Sequence, residues 1–289
     1  MSTIALDQST PPVTEDLAAI VADLKFAGID ADSLAGAKQC LIDWFAVTLA
    51  GAQEPLTGML AAEAIEEGGS PRATLIGSAV KGTLAQACLV NGSGSHALDY
   101  DDVNLNMGGH PTAQVAAAVL AVAEDLGASG RDLLAAFVAG YEAEGRIGTL
   151  VAPSHYGNGF HVTATVGSFG AAAGVGHLLG LDGAAMASAF GIAGTQAAGL
   201  KAQFGTMCKP LHAGKAAVNG LLAARLARRG FTSRADILEA PQGFADTQSD
   251  DFRVERAMRT PRQGFHVRDR EPVGPAVRGR VDAGSDRYG

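Results

Sequence analysis

The chain has 289 residues, 47% of them hydrophobic and 18% charged, with a formal net charge of -8. That is enough apolar material for one large domain or two ordinary ones, and no basic stripe crosses residues 1–240, so nucleic acid has no electrostatic footprint and is excluded as an expected partner. Cys40, Cys88 and Cys208 are far apart with no CxxC spacing, and the N-terminus has no basic segment ahead of an apolar run. Both features suit reduced thiols in a cytoplasmic protein.

Only 6% of the residues are aromatic while 38 are glycine, which calls for a core of small side chains and closely approaching helices. Residues 1–16 form a polar lead-in, and the helical domain is expected over 17–245. Leu17, Ile20, Val21 and Leu24 recur at helical spacing; Ser33 is placed as the cap of a second helix through Leu49, stopped by Gly51. A third helix covers Leu56 to Ile65, and Gly68 to Pro71 turns into a short extended piece at Ala73–Ile76. Thr83 to Val90 is a helix that delivers the chain to a polar, Gly-interrupted loop starting at Asn91.

Beyond the loop, Thr112 to Leu126 reads as an Ala/Val-rich helix, and Ser129 with Asp132 has capping-box spacing ahead of Leu133 to Ile147. His161–Leu181 and Gly183–Leu200 are almost uncharged and long enough to span a bilayer, but their many glycines and missing basic flanks predict two buried, tightly packed helices with no membrane partner. Lys209 to Arg229 is a further helix with arginines at its C-terminal end, and Ser233 caps a short last one to Leu238. Nothing alternates strand with helix, so the fold class is all-α. Nine of the sixteen arginines follow Ala245, and residues 246–289 are expected to form a poorly ordered tail.

His96, Asp99, Asp101, Asp102 and His110 lie close together in the loop, while Lys209 and His212 share a helical face much later. Carboxylates and histidines suit proton transfer because burial and neighbouring charge move their pKa values towards neutrality, and lysine suits a substrate carboxylate. The implied chemistry is proton abstraction next to a carboxylate. Taken singly, Asp101 and Asp102 are more often turn residues. The DxDD cluster has Val103 where a calcium loop needs oxygen, and no second acidic cluster follows, so no metal is expected. Gly214-Lys215-Ala216 lacks the pattern of a phosphate loop.

Six blocks in order, NGSGSHALDYDD, GGHPTAQVAAAVLAVAE, SGRDLLAAFVAGYEAEGRIG, GFHVTATVGSFGAAA, KPLHAGKAAVNGLLAARLARRGFT and ILEAPQGF, resemble the signature blocks of the MmgE/PrpD family, from about Leu17 to Phe265. That family includes 2-methylcitrate dehydratase, cis-aconitate decarboxylase and iminodisuccinate epimerase. The resemblance implies a cofactor-independent enzyme of small di- or tricarboxylates, a homodimer, and a large helical domain with a smaller α+β lid. It places the family's catalytic groups on Asp99, His110 and Lys209, and a further family histidine on His161. With His161, the residues His212 and Asp102 complete the expected substrate-binding set.

Two departures stand out. Val103 replaces a threonine common in dehydratase and decarboxylase members, and the lid's Lys/His motif has no counterpart, the likeness ending near Asp269. The expected function is therefore a carboxylate lyase, a dehydratase or decarboxylase. The alternatives are an epimerase using the same pocket and an inert helical fragment lacking its lid.

Overall fold

The computed structural model describes residues 11–258 and 264–271. Most of the lead-in and of the arginine-rich tail lies outside the described residues. Within them the chain is helical, and strands are confined to two-residue pieces.

The chain opens with α1 (Val13–Ala22), α2 (Ala31–Gly51) and α3 (Pro55–Glu67), so the domain begins ahead of the expected Leu17. The cap of α2 is Asp30 rather than Ser33. Its extended backbone lets its carboxylate accept from the Ser33 amide at 2.9 Å and the Ser33 hydroxyl at 2.6 Å, satisfying donors of the first turn. A small antiparallel hairpin, β1 (Ala73–Thr74) with β2 (Lys81–Gly82), occupies the expected extended stretch.

Helix α4 (Leu84–Ser95) starts on a Thr83–Gln86 capping box and runs through Asn91 to Ser95, which the sequence placed in a loop. The glycines there serve close approach instead of a turn: a Cβ on Gly92 would meet the Gly214 Cα at 2.9 Å. Asn91 bonds the hairpin edge, accepting from the Ile76 amide and donating to the Thr74 carbonyl, each at 2.9 Å. After β3 (Val103–Asn104) come α5 (Pro111–Leu126) and α6 (Gly130–Val151), the latter opened by the expected Ser129–Asp132 capping box. There follow α7 (Ser154–Gly157), α8 (Val162–Leu178), α9 (Gly183–Gly194) and α10 (Cys208–Arg228).

The expected helix to Leu200 stops at Gly194. The chain then doubles back so that the Gly199 carbonyl accepts from the His161 amide at 3.0 Å and Phe160 bridges Leu200. The short helix expected from Ser233 is a set of turns; the Ser233 hydroxyl donates to the Ser188 carbonyl on α9 at 2.8 Å instead of capping its own segment.

Helix α8 is the axis of the fold, packed by α5, α6, α9 and α10. Every residue from Val162 to Gly176 is buried. A Cβ on Gly170 would sit 2.9 Å from the Glu144 Cβ and 3.1 Å from the Gly140 carbonyl, so α6 and α8 touch backbone to backbone. The few large side chains fill what remains: Phe169 packs edge-on against Phe190 and Phe244 with centroids 6.1 and 4.9 Å away. Burying each such ring contributes about 2–3 kcal/mol. Among the described residues, no helix is long and apolar enough to cross a membrane.

The tail expectation needs correcting for its described part. Residues 246–258 and 264–271 carry the end of α11 (Phe244–Gln248), then α12 (Val254–Ala257), a 3₁₀ turn at His266–Asp269 and β4 (Arg270–Glu271). Composition favoured disorder, but specific anchors outweigh it. Glu142 on α6 accepts from the His266 amide at 2.7 Å and the Arg146 Nε at 2.8 Å, while Arg146 also donates to the Ala257 carbonyl at 2.9 Å. Strand β4 pairs antiparallel with β3, Val103 opposite Glu271.

Candidate active site

The site forms where α4 ends and four other helices begin. Beyond Ser95 the chain turns so sharply that Asp99 takes φ +57°, the left-handed region that aspartate enters at modest cost. This aims its carboxylate at α10, where Lys209 Nζ donates to Oδ2 at 2.6 Å. His110 Nε2 lies 3.6 Å from the other oxygen of Asp99.

Behind them Asp101 is fully buried. Both its oxygens lie 3.0 Å from His96 Nδ1, and His110 Nδ1 is 3.3 Å away. One carboxylate thus addresses the Nδ1 side of two imidazoles: it holds the His96 ring by hydrogen bonding, whereas His110 Nδ1, without a hydrogen-bond partner among the described residues, is drawn to it by charge. Among the described residues His96 Nε2 has no hydrogen-bond partner though buried, and His96 lines the larger cavity described below.

Asn104 shapes the loop that returns to His110. Its side-chain oxygen accepts from the Asn106 and Met107 amides at 3.0 and 3.3 Å, its carbonyl accepts from the Gly108 amide, and its Nδ2 donates to the His266 carbonyl at 3.3 Å. The Thr163 hydroxyl oxygen then accepts from the His110 amide at 3.0 Å.

His110, His161 and Lys209 stand at or beside the first residues of α5, α8 and α10, and Glu54 and Pro55 at the start of α3. Two adjoining cavities, both open to solvent, lie between them. The larger, about 520 Å³, is bordered by Glu54, His96, Asp99 and Lys209. The smaller, about 200 Å³, is bordered by Val103, His110, His161 and Lys209, and the two share Tyr156 and Phe204. Four helix N-termini at one place set a field that favours an anion.

Burial alone would lower the His110 pKa, but Asp101 and then Asp99 outweigh it and raise the group above its ordinary 6.5. Burial likewise opposes ionisation of Asp99, yet His110, His96 and Lys209 hold its carboxyl below the usual range. Asp101 is held far lower still, against its burial, by His96 and His110. Burial pushes His161 well below its ordinary value, helped by the neighbouring histidines and Lys209, so this ring enters neutral. The pocket therefore sets an imidazole whose protonated form is favoured and a carboxylate whose ionised form is favoured beside an imidazole biased to neutrality.

Asp99, His110 and Lys209 are brought together as the sequence implied, and His161 joins them. His212 stands one layer back, its Nδ1 3.0 Å from His161 Nδ1, with burial lowering its pKa. Asp102 does not join: the backbone turns it away from Asp101, and it lines neither cavity. It accepts from the Tyr141 hydroxyl at 3.2 Å and the Cys40 thiol at 3.7 Å, and burial pushes its carboxyl up to about 6. Its environment is that of a core residue, not the substrate-binding group expected.

His96 and Asp101, grouped with the cluster but given no role, are the orienting pair behind the site. Tyr156 and Glu54 left no signal beyond Glu54 preceding a helix-starting proline. Donor atoms of His96, Asp99, Asp101 and His110 lie within 4.8 Å of one another, a set able to hold a cation. The Lys209 ammonium on Asp99 places a competing positive charge beside that position.

A buried histidine facing a carboxylate and a lysine, at converging helix N-termini, is an arrangement whose groups could exchange protons beside a bound anion. The chain belongs to the MmgE/PrpD family: the profile described as the MmgE/PrpD N-terminal domain matches residues 15–257. It is 33% identical over 240 residues to a cis-aconitate decarboxylase of Aspergillus terreus, covering 80% of this chain and 49% of that protein. It is 36% identical over 163 residues to the cis-aconitate decarboxylase of Homo sapiens, 55% of this chain and 34% of that one. A cis-aconitate decarboxylase-like protein of Aspergillus oryzae matches at 34% over 253 residues, 83% of this chain and 52% of that protein. The chain thus spans about half the length, or less, of these curated relatives.

Proposed function

We propose that this domain is a lyase of small tricarboxylates, releasing carbon dioxide from a cis-aconitate-like substrate without a cofactor. The observation that carries the reading is His110, with Asp101 and Asp99 beside it favouring its protonated form, lining one cavity wall with Lys209. Substrate carboxylates are held by Lys209, the neutral His161 and the helix N-termini. As the carbon–carboxylate bond breaks, its electron pair stays on the substrate carbon. His110 Nε2 delivers a proton there and is reprotonated from solvent, while Asp99 holds Lys209 and His110 in place. In the dehydration variant Asp99 takes the proton beside the carboxylate and His110 protonates the departing hydroxyl.

A second reading, epimerisation of a dicarboxylate, is favoured by Val103, which lines the smaller cavity and offers no hydroxyl to a leaving group. The test is to incubate the full chain with cis-aconitate, 2-methylcitrate and iminodisuccinate in deuterated water and follow products by NMR. Carbon dioxide with one deuterium on the product supports the decarboxylase. Loss of water from 2-methylcitrate supports the dehydratase, and configurational exchange without bond loss the epimerase. No turnover of any by folded protein overturns all three and leaves an inert helical domain.

A cytoplasmic homodimer completes the proposal. Its support is the free thiols Cys40, Cys88 and Cys208 and the exposed ridge of Ile42, Phe45 and Leu49 on α2. Light scattering at twice the 29.3 kDa chain mass tests the dimer.

A further inference from the structure

At the far end of α10, about 24 Å along the helix from Lys209, a second cavity of about 370 Å³ is walled by four arginines. Arg225, Arg228 and Arg229 sit at positions i, i+3 and i+4, so they share one face. Arg72 reaches in from beside the hairpin, held by Asp125, which accepts from its Nε at 2.6 Å and also from its Nη2. Leu84, Val122 and Leu179 supply an apolar floor. We propose that this cavity is a binding site for a small phosphate-bearing molecule, separate from the catalytic centre.

Arginines in a last helical turn offset the negative end of the dipole, and that alone would account for Arg225 and Arg228. It does not account for Arg72, which comes from another element and meets them across the cavity. Nor does pairing explain the cluster. Among the described residues Asp125 is the one carboxylate on the cavity wall, it is taken by Arg72, and no ion pair reaches Arg225, Arg228 or Arg229.

The charge balance selects the ligand. Four guanidinium groups face one carboxylate, the C-terminal ends of α5, α8 and α10, and the N-terminal end of α4 at Leu84. At about half a charge per helix end, roughly two positive charges remain unmatched. A phosphate monoester carries about that charge, and its oxygens match the planar fork of arginine. The floor of Leu84, Val122 and Leu179 takes the carbon part of such an ester. Arg225, Arg228 and Arg229 thus form a local cationic patch in a chain of net charge -8.

The experiment titrates the full chain calorimetrically, at low ionic strength, with glycerol phosphate, adenosine monophosphate and inorganic phosphate. Saturable binding is expected that weakens roughly ten-fold or more in Arg225→Gln/Arg229→Gln and in Arg72→Gln, and that persists in Lys209→Met. Tighter binding of an organic ester identifies that ligand source, and equal binding of inorganic phosphate identifies free phosphate; both uphold the site. No saturable binding of any probe, binding indifferent to the arginine variants, or binding lost in Lys209→Met overturns it. Should the double variant not fold, phenylglyoxal labelling of the unmutated chain decides: protection of Arg225, Arg228 and Arg229 by the tightest probe supports the site, and unchanged labelling refutes it.

Discussion

The buried length of α8 and its first turn divide the work of the molecule. Along its length the helix is buried on every side, and glycines let α6 lie against it backbone to backbone. At its start the same helix presents His161 to a cavity whose other walls are helix starts and unevenly charged side chains. Packing that tolerates no added methyl group fixes the helix positions to fractions of an ångström, and this lets short-range proton transfer be built at their ends. Damage to the seam should therefore be read in stability, and damage to the helix starts in turnover.

The largest expected effect is on catalysis. His110→Gln and Asp99→Asn should each cut turnover of the productive substrate by about 10²–10⁴ with the melting temperature nearly unchanged. A melting temperature that collapses along with activity would erase the distinction between seam and helix start. At the seam, Gly170→Leu should overpack α6 against α8 and lower stability by about 1–3 kcal/mol, measured by urea unfolding. Unchanged stability would mean the seam is looser than its contacts imply.

Asp102 tests the boundary between the two regions. Its folded pKa is raised from 3.8 to about 6, so the burden of its charge is absent below 3.8 and develops as pH rises through about 6. Asp102→Asn should then stabilise the domain at pH 7 by on the order of 1–2 kcal/mol, with the gain gone near pH 3.5; no gain at pH 7 would place Asp102 in the site after all.

His110 gives the smallest signal in stability and a clear one in rate. Its folded pKa is raised above 6.5, so its contribution is complete below 6.5 and lost as pH rises through the raised value. Turnover should hold to above pH 6.5 and then decline. A decline that begins below 6.5 would reject protonated His110 as the acid.

Much of this was legible in the sequence, for physical reasons that can be named. Apolar periodicity and the Ser129–Asp132 box found the helices because both are local signals. The Asp99, His110 and Lys209 constellation came from a family resemblance, and their convergence depends on contacts that periodicity does not encode. Asn91 to Ser95 was misread because glycine spacing marks either a turn or a close helix crossing, and only the neighbour at Gly214 decides which. Asp102 was misassigned because adjacent side chains on a turning backbone face opposite ways. The tail was judged by composition, while the anchors of its described part are Glu142 and Arg146, which lie on α6, far away in sequence.

Strand β3 and its partner β4 have a consequence for how the domain is made. The loop that carries His110 is tied to backbone that leaves the ribosome some 160 residues later, since Asn104 bonds the carbonyl of His266 across a separation of 162 positions. During synthesis, helices α1 to α10 can assemble while this loop still lacks its outer partner, and closure of so distant a contact comes late. A nascent chain can therefore build its helical scaffold before β3 and the Asn104 loop gain their late partners, β4 and the His266 carbonyl.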